Sequence, residues 1–78
     1  MKQKDMNLVN VIVEEVVENH GFTVIGVGQQ GANLVYTISE GVKPEQVVKW
    51  IQEHFDANGY GFRAWRIGQC ILVGEKSA

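Results

Sequence analysis

The sequence predicts an α+β domain in which two helices pack on a four-stranded antiparallel sheet, in two layers and in the order α-β-β-α-β-β. Two segments carry apolar residues at helical spacing, and four segments are rich in β-branched and aromatic residues. Glycine-containing turns join the four segments in two pairs, which is typical of β-hairpins. With 78 residues, 45% of them hydrophobic, we expect one domain over residues 1–78, with flexible ends at residues 1–5 and 76–78.

The first helix is predicted over residues 8–17. Four apolar residues share one face of this helix and the opposite face is polar; the apolar residues are Val9, Ile12, Val13 and Val16. Asp5 is the expected N-cap, and Gly21 is expected to end the helix. Because valine is a weak helix former, packing on a sheet must supply most of the stability of this helix.

The first hairpin is predicted from residues 22–27 and 32–38, with Gly28-Gln29-Gln30-Gly31 between them. If the turn lies at Gln30-Gly31, strand alternation places six residues on one face of the sheet: Thr23, Ile25, Val27, Leu34, Tyr36 and Ile38. That face is expected to form the core.

The second half repeats this order. Pro44 suits the first turn of a helix that ends at Asn58-Gly59, and its expected inward residues are Val47, Val48, Ile51 and Phe55. Residues 61–67 and 70–75 form the second strand pair around Gly68-Gln69, with glycine first as a type II′ turn prefers. The residues from helix to hairpin, 18–22 and 57–62, look alike, which suggests an internal αββ duplication. The alternative is that any helix leading into a strand needs such Asn and Gly residues.

Charge and cysteine content exclude several classes of protein. Seven basic against nine acidic residues give a net charge of -2, unlike the basic surface of a dedicated duplex-DNA binder. The single cysteine, Cys70, cannot form an internal disulfide, which favours the reducing cytoplasm over a secreted disulfide-rich class. No apolar run approaches the ~20 residues that a membrane span needs, so we expect no membrane partner.

Motifs for catalysis, cofactors and metals fail on context. Gly26 to Gly31 matches G-x-G-x-x-G, but a strand pattern follows where a dinucleotide site needs a helix. His20, His54 and Cys70 lie in three predicted elements without the paired spacing of a zinc site. No serine, histidine and acid set is arranged as a catalytic site. We therefore expect a protein that is not an enzyme, with no metal and no cofactor.

Both faces of the predicted sheet are apolar, which indicates a partner surface. If one face holds Ile25, Leu34, Trp65 and Leu72, the other still carries Phe22, Val24, Val35, Phe62, Ala64, Ile71 and Val73. Phe22, Val24 and Val35 are the expected contact residues, and Gly26 and Gly28 would let another surface approach closely. The acidic residues Glu14, Glu15 and Glu18 on the first helix form a solvated patch or face a basic partner.

The expected function is a small non-catalytic protein–protein interaction module in the cytoplasm. It would act as an accessory, adaptor or inhibitor protein, of the kind that phages and mobile elements encode, by occupying a partner surface, and it would form a homodimer. The alternative is single-stranded nucleic-acid binding through Arg63, Trp65 and Arg66. Strand alternation weakens that alternative, because Arg63 and Arg66 point to opposite faces.

Overall fold

A computed structural model describes residues 1–76, and its elements follow the predicted order. The two helices are α1 (Gln3–Asn19) and α2 (Pro44–Ala57), and the four strands are β1 (Val24–Gln30), β2 (Asn33–Ile38), β3 (Phe62–Ile67) and β4 (Cys70–Glu75). The strands form one antiparallel sheet in the spatial order β1-β2-β4-β3. This confirms the predicted α+β fold, with the two hairpins joined through β2 and β4.

The first helix begins earlier than predicted. Its N-cap is Lys2, whose backbone is extended and whose side chain makes no capping hydrogen bond, so the expectation that Asp5 is the cap is wrong. Asp5 lies instead in the first turn, where a carboxylate is favoured by the helix dipole. Residues 3–5 are thus helical, and the Met1 amino group lies 3.5 Å from the Glu75 carboxylate. Residues 77 and 78 lie outside the described part of the chain.

Both helices end in the same hydrogen-bonded motif. Gly21 and Gly59 follow the C-caps with φ of +83° and +70°, a conformation that residues with a Cβ rarely adopt. In α1 the Gly21 amide donates to the Glu18 carbonyl at 2.9 Å and the Phe22 amide to the Val17 carbonyl at 3.1 Å. The equivalent bonds in α2 measure 3.3 and 3.0 Å. This is the Schellman arrangement, and it turns each helix directly into a hairpin.

The first hairpin differs from the prediction at its turn and at a bulge. Gln30 pairs with Asn33, so the turn is one residue further along than expected. The register shifts between Val24 and Gly26, which leaves Ile25 as an extra residue in β1. A bulge of this kind reverses the alternation on one side of it. The predicted core position is therefore wrong for Ile25, which is 64% exposed, whereas Val24 packs against the core. Val27 pairs with Tyr36 on the helix side but is 51% exposed, so its predicted core position is also wrong.

The core lies between the two helices and one face of the sheet. Its strand residues are Leu34, Tyr36, Phe62, Ala64, Ile71 and Val73, and its helix residues are Val9, Ile12, Val13, Val16, Val17, Val47, Ile51 and Phe55. The expectation that Trp65 and Leu72 share a face with Leu34 is wrong, because Leu72 stands opposite Val35 in the β2–β4 pairing. Within the described residues, neither helix has the length and hydropathy of a membrane span.

Candidate interaction face

The second side of the sheet is not covered by either helix, and we call it the open face. Strand alternation and the observed register assign to it Gly26, Gly28, Gln30, Asn33, Val35, Thr37, Arg63, Trp65, Ile67, Cys70, Leu72 and Gly74. We include the bulge residue Ile25, which stands beside Gly26 opposite Thr37 and also lines a cleft with residues of the helix side. None of these residues belongs to the core or packs against it. The main hydrophobic core therefore does not extend to the side chains of this face.

Cross-strand pairing arranges the open face in three rows. The central row runs Gly28, Val35, Leu72 and Trp65 from β1 to β3. The second row runs from Ile25 and Gly26 through Thr37 and Cys70 to Ile67. The third row runs from Gln30 through Asn33 and Gly74 to Arg63. These three rows are the framework for what the open face can bind.

Trp65 covers the β4 side of the open face. A Cβ atom on Gly74 would lie 3.2 Å from Cη2 of Trp65 and would overlap the Asn33 side chain. The tip of the indole therefore reaches across to β4, where glycine avoids crowding both side chains. Leu72 is only 3% exposed although it lies outside the main core. Its cross-strand neighbours on the same face are Trp65 and Val35, so this side of the face is apolar.

The β1 side of the open face is low. A Cβ atom on Gly28 would meet no atom within 4 Å, and one on Gly26 would meet only Thr37, at 3.5 Å. Gly28 and Trp65 stand at opposite ends of the same row, so the row ends in no side chain on β1 and in a large one on β3. The relief of the face is thus strongly asymmetric.

The open face is almost uncharged. Among the strand positions that the structure describes, Arg63 is its single charged side chain. Ile25 and Ile67 are 64% and 61% exposed. They lie in the same row, one on each edge strand of the sheet. Apolar side chains grouped in this way mark interaction sites more often than isolated exposed ones do.

The predicted contact residues are divided by the sheet. Val35 lies on the open face, as expected. Phe22 and Val24 do not: both pack against the core, and Phe22 stacks on Trp50 with ring centroids 6.2 Å apart. Their placement on an exposed face was wrong because the bulge at Ile25 sets Val24 on the helix side of the sheet.

The acidic residues Glu14, Glu15 and Glu18 are all exposed on α1, in the helix layer away from the open face. Inside that layer the Tyr36 hydroxyl donates a hydrogen bond of 2.5 Å to Oδ1 of Asn10. Burial raises the pKa of Tyr36 above its usual range, and the nearby Glu14 carboxylate adds to the effect. These residues therefore act on the helix side of the molecule and are separate from the open face.

The nucleic-acid candidates are also divided. Arg63 and Trp65 lie on the open face, on the same side of β3. Arg66 points to the other side, where its Nε lies 3.5 Å from the Glu45 carboxylate and its guanidinium donates to the Gly68 carbonyl at 3.0 Å. The two arginines do not form one basic stripe.

One edge of the sheet is closed by a side chain that the sequence did not point to. The Ala64 amide of β3 donates to Oε1 of Gln52 at 2.8 Å, and Nε2 of Gln52 donates to the Phe62 carbonyl at 3.3 Å. The carboxamide thus occupies the place of a neighbouring strand. Within residues 1–76, no helix side chain hydrogen-bonds to β1 in this way. Only a contact between α2 and β3, distant in sequence, reveals the role of Gln52.

Two further features are a cleft beside the open face and an aromatic stack between the helices. A cleft of about 430 Å³ opens at one end of the sheet, between residues 39–43, the start of α2 and the turn after β3. Its wall includes Ile25 and Thr37, which also belong to the open face. At the end of α1, the His20 imidazole stacks on Trp50 with centroids 3.7 Å apart, and Nδ1 lies 2.9 Å from the Val16 carbonyl. His20 therefore joins the two helices and is not near Cys70, which lies on β4.

Comparison with known proteins gives no significant match to this chain. No family model, no curated protein and no solved structure aligns with it at a significant level. The function is therefore argued from the surface of the molecule.

Proposed function

We propose that the protein is a non-catalytic protein–protein interaction module that binds its partner through the open face. The observation that carries this proposal is a largely apolar sheet face that neither helix covers, with Arg63 as its one charged side chain among the described strand positions. Two-layer folds bury one face of the sheet, and an apolar second face is normally covered by another molecule. The protein would serve as an adaptor or inhibitor inside the cell, where its lone Cys70 stays reduced.

The composition of the face supports a protein partner over a small substrate. Arg63 is the one charged side chain among the described strand positions there, whereas catalysis needs positioned acids, bases or nucleophiles. Protein interfaces instead combine an apolar centre, often with tryptophan, and a polar rim. Trp65, Leu72 and Val35 form such a centre, with Arg63 and Gln30 at one margin.

The decisive test compares two Val→Asp variants in extract from the cells that make the protein. Val35→Asp places an unpaired carboxylate at the centre of the open face, and Val11→Asp is the matched control on α1, where the valine is 59% exposed. We expect fluorescence-detected sedimentation of the labelled chain to show complexes for the wild type and Val11→Asp and only monomer for Val35→Asp. Equal sedimentation of all three proteins would contradict the proposal.

A second candidate function is single-stranded nucleic-acid binding. The observation that favours it is the placement of Trp65 and Arg63 side by side on an open antiparallel sheet, where a base can stack and a phosphate can pair. The pairing of Arg66 with Glu45 opposes it. This candidate predicts anisotropy-detected binding of a mixed-sequence oligonucleotide that weakens with salt and is lost in Arg63→Ala. Binding that is absent or indifferent to Arg63→Ala would remove it.

A further inference from the structure

We infer that the partner on the open face is a second copy of this chain, packed back to back about a twofold axis parallel to the strands, between β2 and β4. This inference rests on the proposed function of the open face. Sheets that pack face to face keep their strands roughly aligned, about 10 Å apart. The proposed axis lays β1 of one copy over β3 of the other, and β2 over β4. Each of the three rows then meets the same row of the second copy in reverse order.

In the central row, reversal brings large side chains onto small ones. The Trp65 indole leans from β3 across β4, so it lies over the β1–β2 side of the other copy, where no atom stands within 4 Å of a Cβ position on Gly28. At the centre, Val35 of each copy lies over the β4 side of the other, where Leu72 is already only 3% exposed. An axis across the strands would instead set Trp65 on Trp65 and Gly28 on Gly28, which leaves voids beside a collision. Close packing therefore selects the axis along the strands.

In the second row, reversal joins the two exposed isoleucines. Ile25 on β1 and Ile67 on β3 are 64% and 61% exposed in the single chain. Across the proposed axis, Ile25 of each copy meets Ile67 of the other, so that one contact occurs twice, as an isologous interface requires. Both residues lose their exposure together in this arrangement.

In the third row, reversal separates the like charges. Arg63 of one copy lies over Gln30 of the other, whose carboxamide oxygen can accept a hydrogen bond from the guanidinium. Asn33 lies over Gly74, which has no side chain. The single charge that the described strands place on this face therefore meets a neutral acceptor and not its own copy.

The area is sufficient for a specific but modest dimer. Strands of six or seven residues make the face about 20 Å long, and four strands make it nearly as wide. With side-chain relief, each copy buries about 500 Å², or about 1,000 Å² in total, which is the lower limit for a specific interface. We therefore expect reversible association in the micromolar range and no dimer after strong dilution.

The test uses two variants that change the same two exposed residues. In Ile25→Lys/Ile67→Glu each lysine meets a glutamate of the other copy, whereas in Ile25→Lys/Ile67→Lys it meets a lysine. We expect light scattering and sedimentation equilibrium, from about 1 µM to about 1 mM, to show a dimer for the wild type and the first variant. The second variant should dissociate about a hundredfold more readily, by a margin that shrinks with salt.

Another pair of variants tests the difference in side-chain size between the two sides of the face. Gly28→Trp fills the low side and should give a folded monomer, because the site has room for a side chain in the single chain. The double variant Gly28→Trp/Trp65→Gly exchanges the large and the small residue between the two sides of the face, and it should dimerise again. Circular dichroism and urea unfolding confirm that each variant is folded before its mass is interpreted.

Several outcomes would overturn the inference. A wild type that stays monomeric up to about 1 mM excludes the second copy, and the Val35→Asp comparison in extract then decides separately whether the face binds another protein. Equal association of the two charge variants excludes the proposed axis. A dimer that Gly28→Trp leaves unchanged places the interface elsewhere.

Discussion

Gln52→Ala is predicted to destabilise the protein by opening the β3 edge. The substitution removes the 2.8 Å bond from the Ala64 amide and the 3.3 Å bond to the Phe62 carbonyl. Each protein hydrogen bond contributes about 1 kcal/mol net, and the unpaired, half-buried Ala64 amide adds to the loss. Alanine returns about 0.4 kcal/mol of helix propensity. The expected loss in the free energy of unfolding is therefore about 2 kcal/mol, or a Tm lower by about 10 °C for a domain of this size.

Gln46→Ala is the matched control for this prediction. Gln46 is exposed on the same helix, and its side chain makes no hydrogen bond within the described residues. It should change the free energy of unfolding by less than about 0.5 kcal/mol. Urea unfolding measures both variants, and hydrogen exchange at the Ala64 amide should accelerate only in Gln52→Ala. Equal stability of the two variants, or unchanged exchange at Ala64, would refute the role of Gln52 as an edge closure.

Three further substitutions test the open face and the core. Gly74→Ala should cost about 1–3 kcal/mol, because its Cβ would overlap Oδ1 of Asn33 and crowd Cη2 of Trp65. Gly28→Ala on the same face should be neutral or stabilising, and urea unfolding compares the two variants. Tyr36→Phe loses the bond to Asn10, about 1 kcal/mol at neutral pH. Because burial raises the pKa of folded Tyr36, wild-type stability should fall above about pH 10, by at most about 1.4 kcal/mol per pH unit, and Tyr36→Phe should lack that slope in urea titrations.

Local patterns in the sequence were sufficient to predict the order and type of the elements. The Pro44 start of α2 and the turn at Gly68 are local signals, and the structure confirms both. Alternation within β3 and β4 also assigned Trp65 and Leu72 to one face of that hairpin correctly. Signals that depend on neighbours within one turn or one hairpin were therefore reliable in this chain.

Contacts between distant segments were not predictable in the same way. The β2–β4 register decides which faces of the two hairpins lie on the same side of the sheet. Alternation within one hairpin carries no information about that register. The bulge at Ile25 reverses β1 by a single residue, and that one step moved Val24 to the core. Gln52 has an unremarkable helical position in the sequence, and only the approach of β3 gives its carboxamide two backbone partners.

The two αββ halves share their framework and differ on the open face. Both helices end in the same motif, and both hairpins turn at a glycine, Gly31 or Gly68, with φ near +60°. This agreement supports the suggested internal duplication. If the halves are aligned by these turns, Gly28 corresponds to Trp65, and the extra residue at Ile25 accounts for the longer first strand. If both halves carried a large residue at this position, two copies packed through the face would bring large side chains against each other. In the proposed dimer, glycine at position 28 leaves room for a large side chain of the second copy. The difference between the two halves is therefore the feature from which the proposed self-association is best argued.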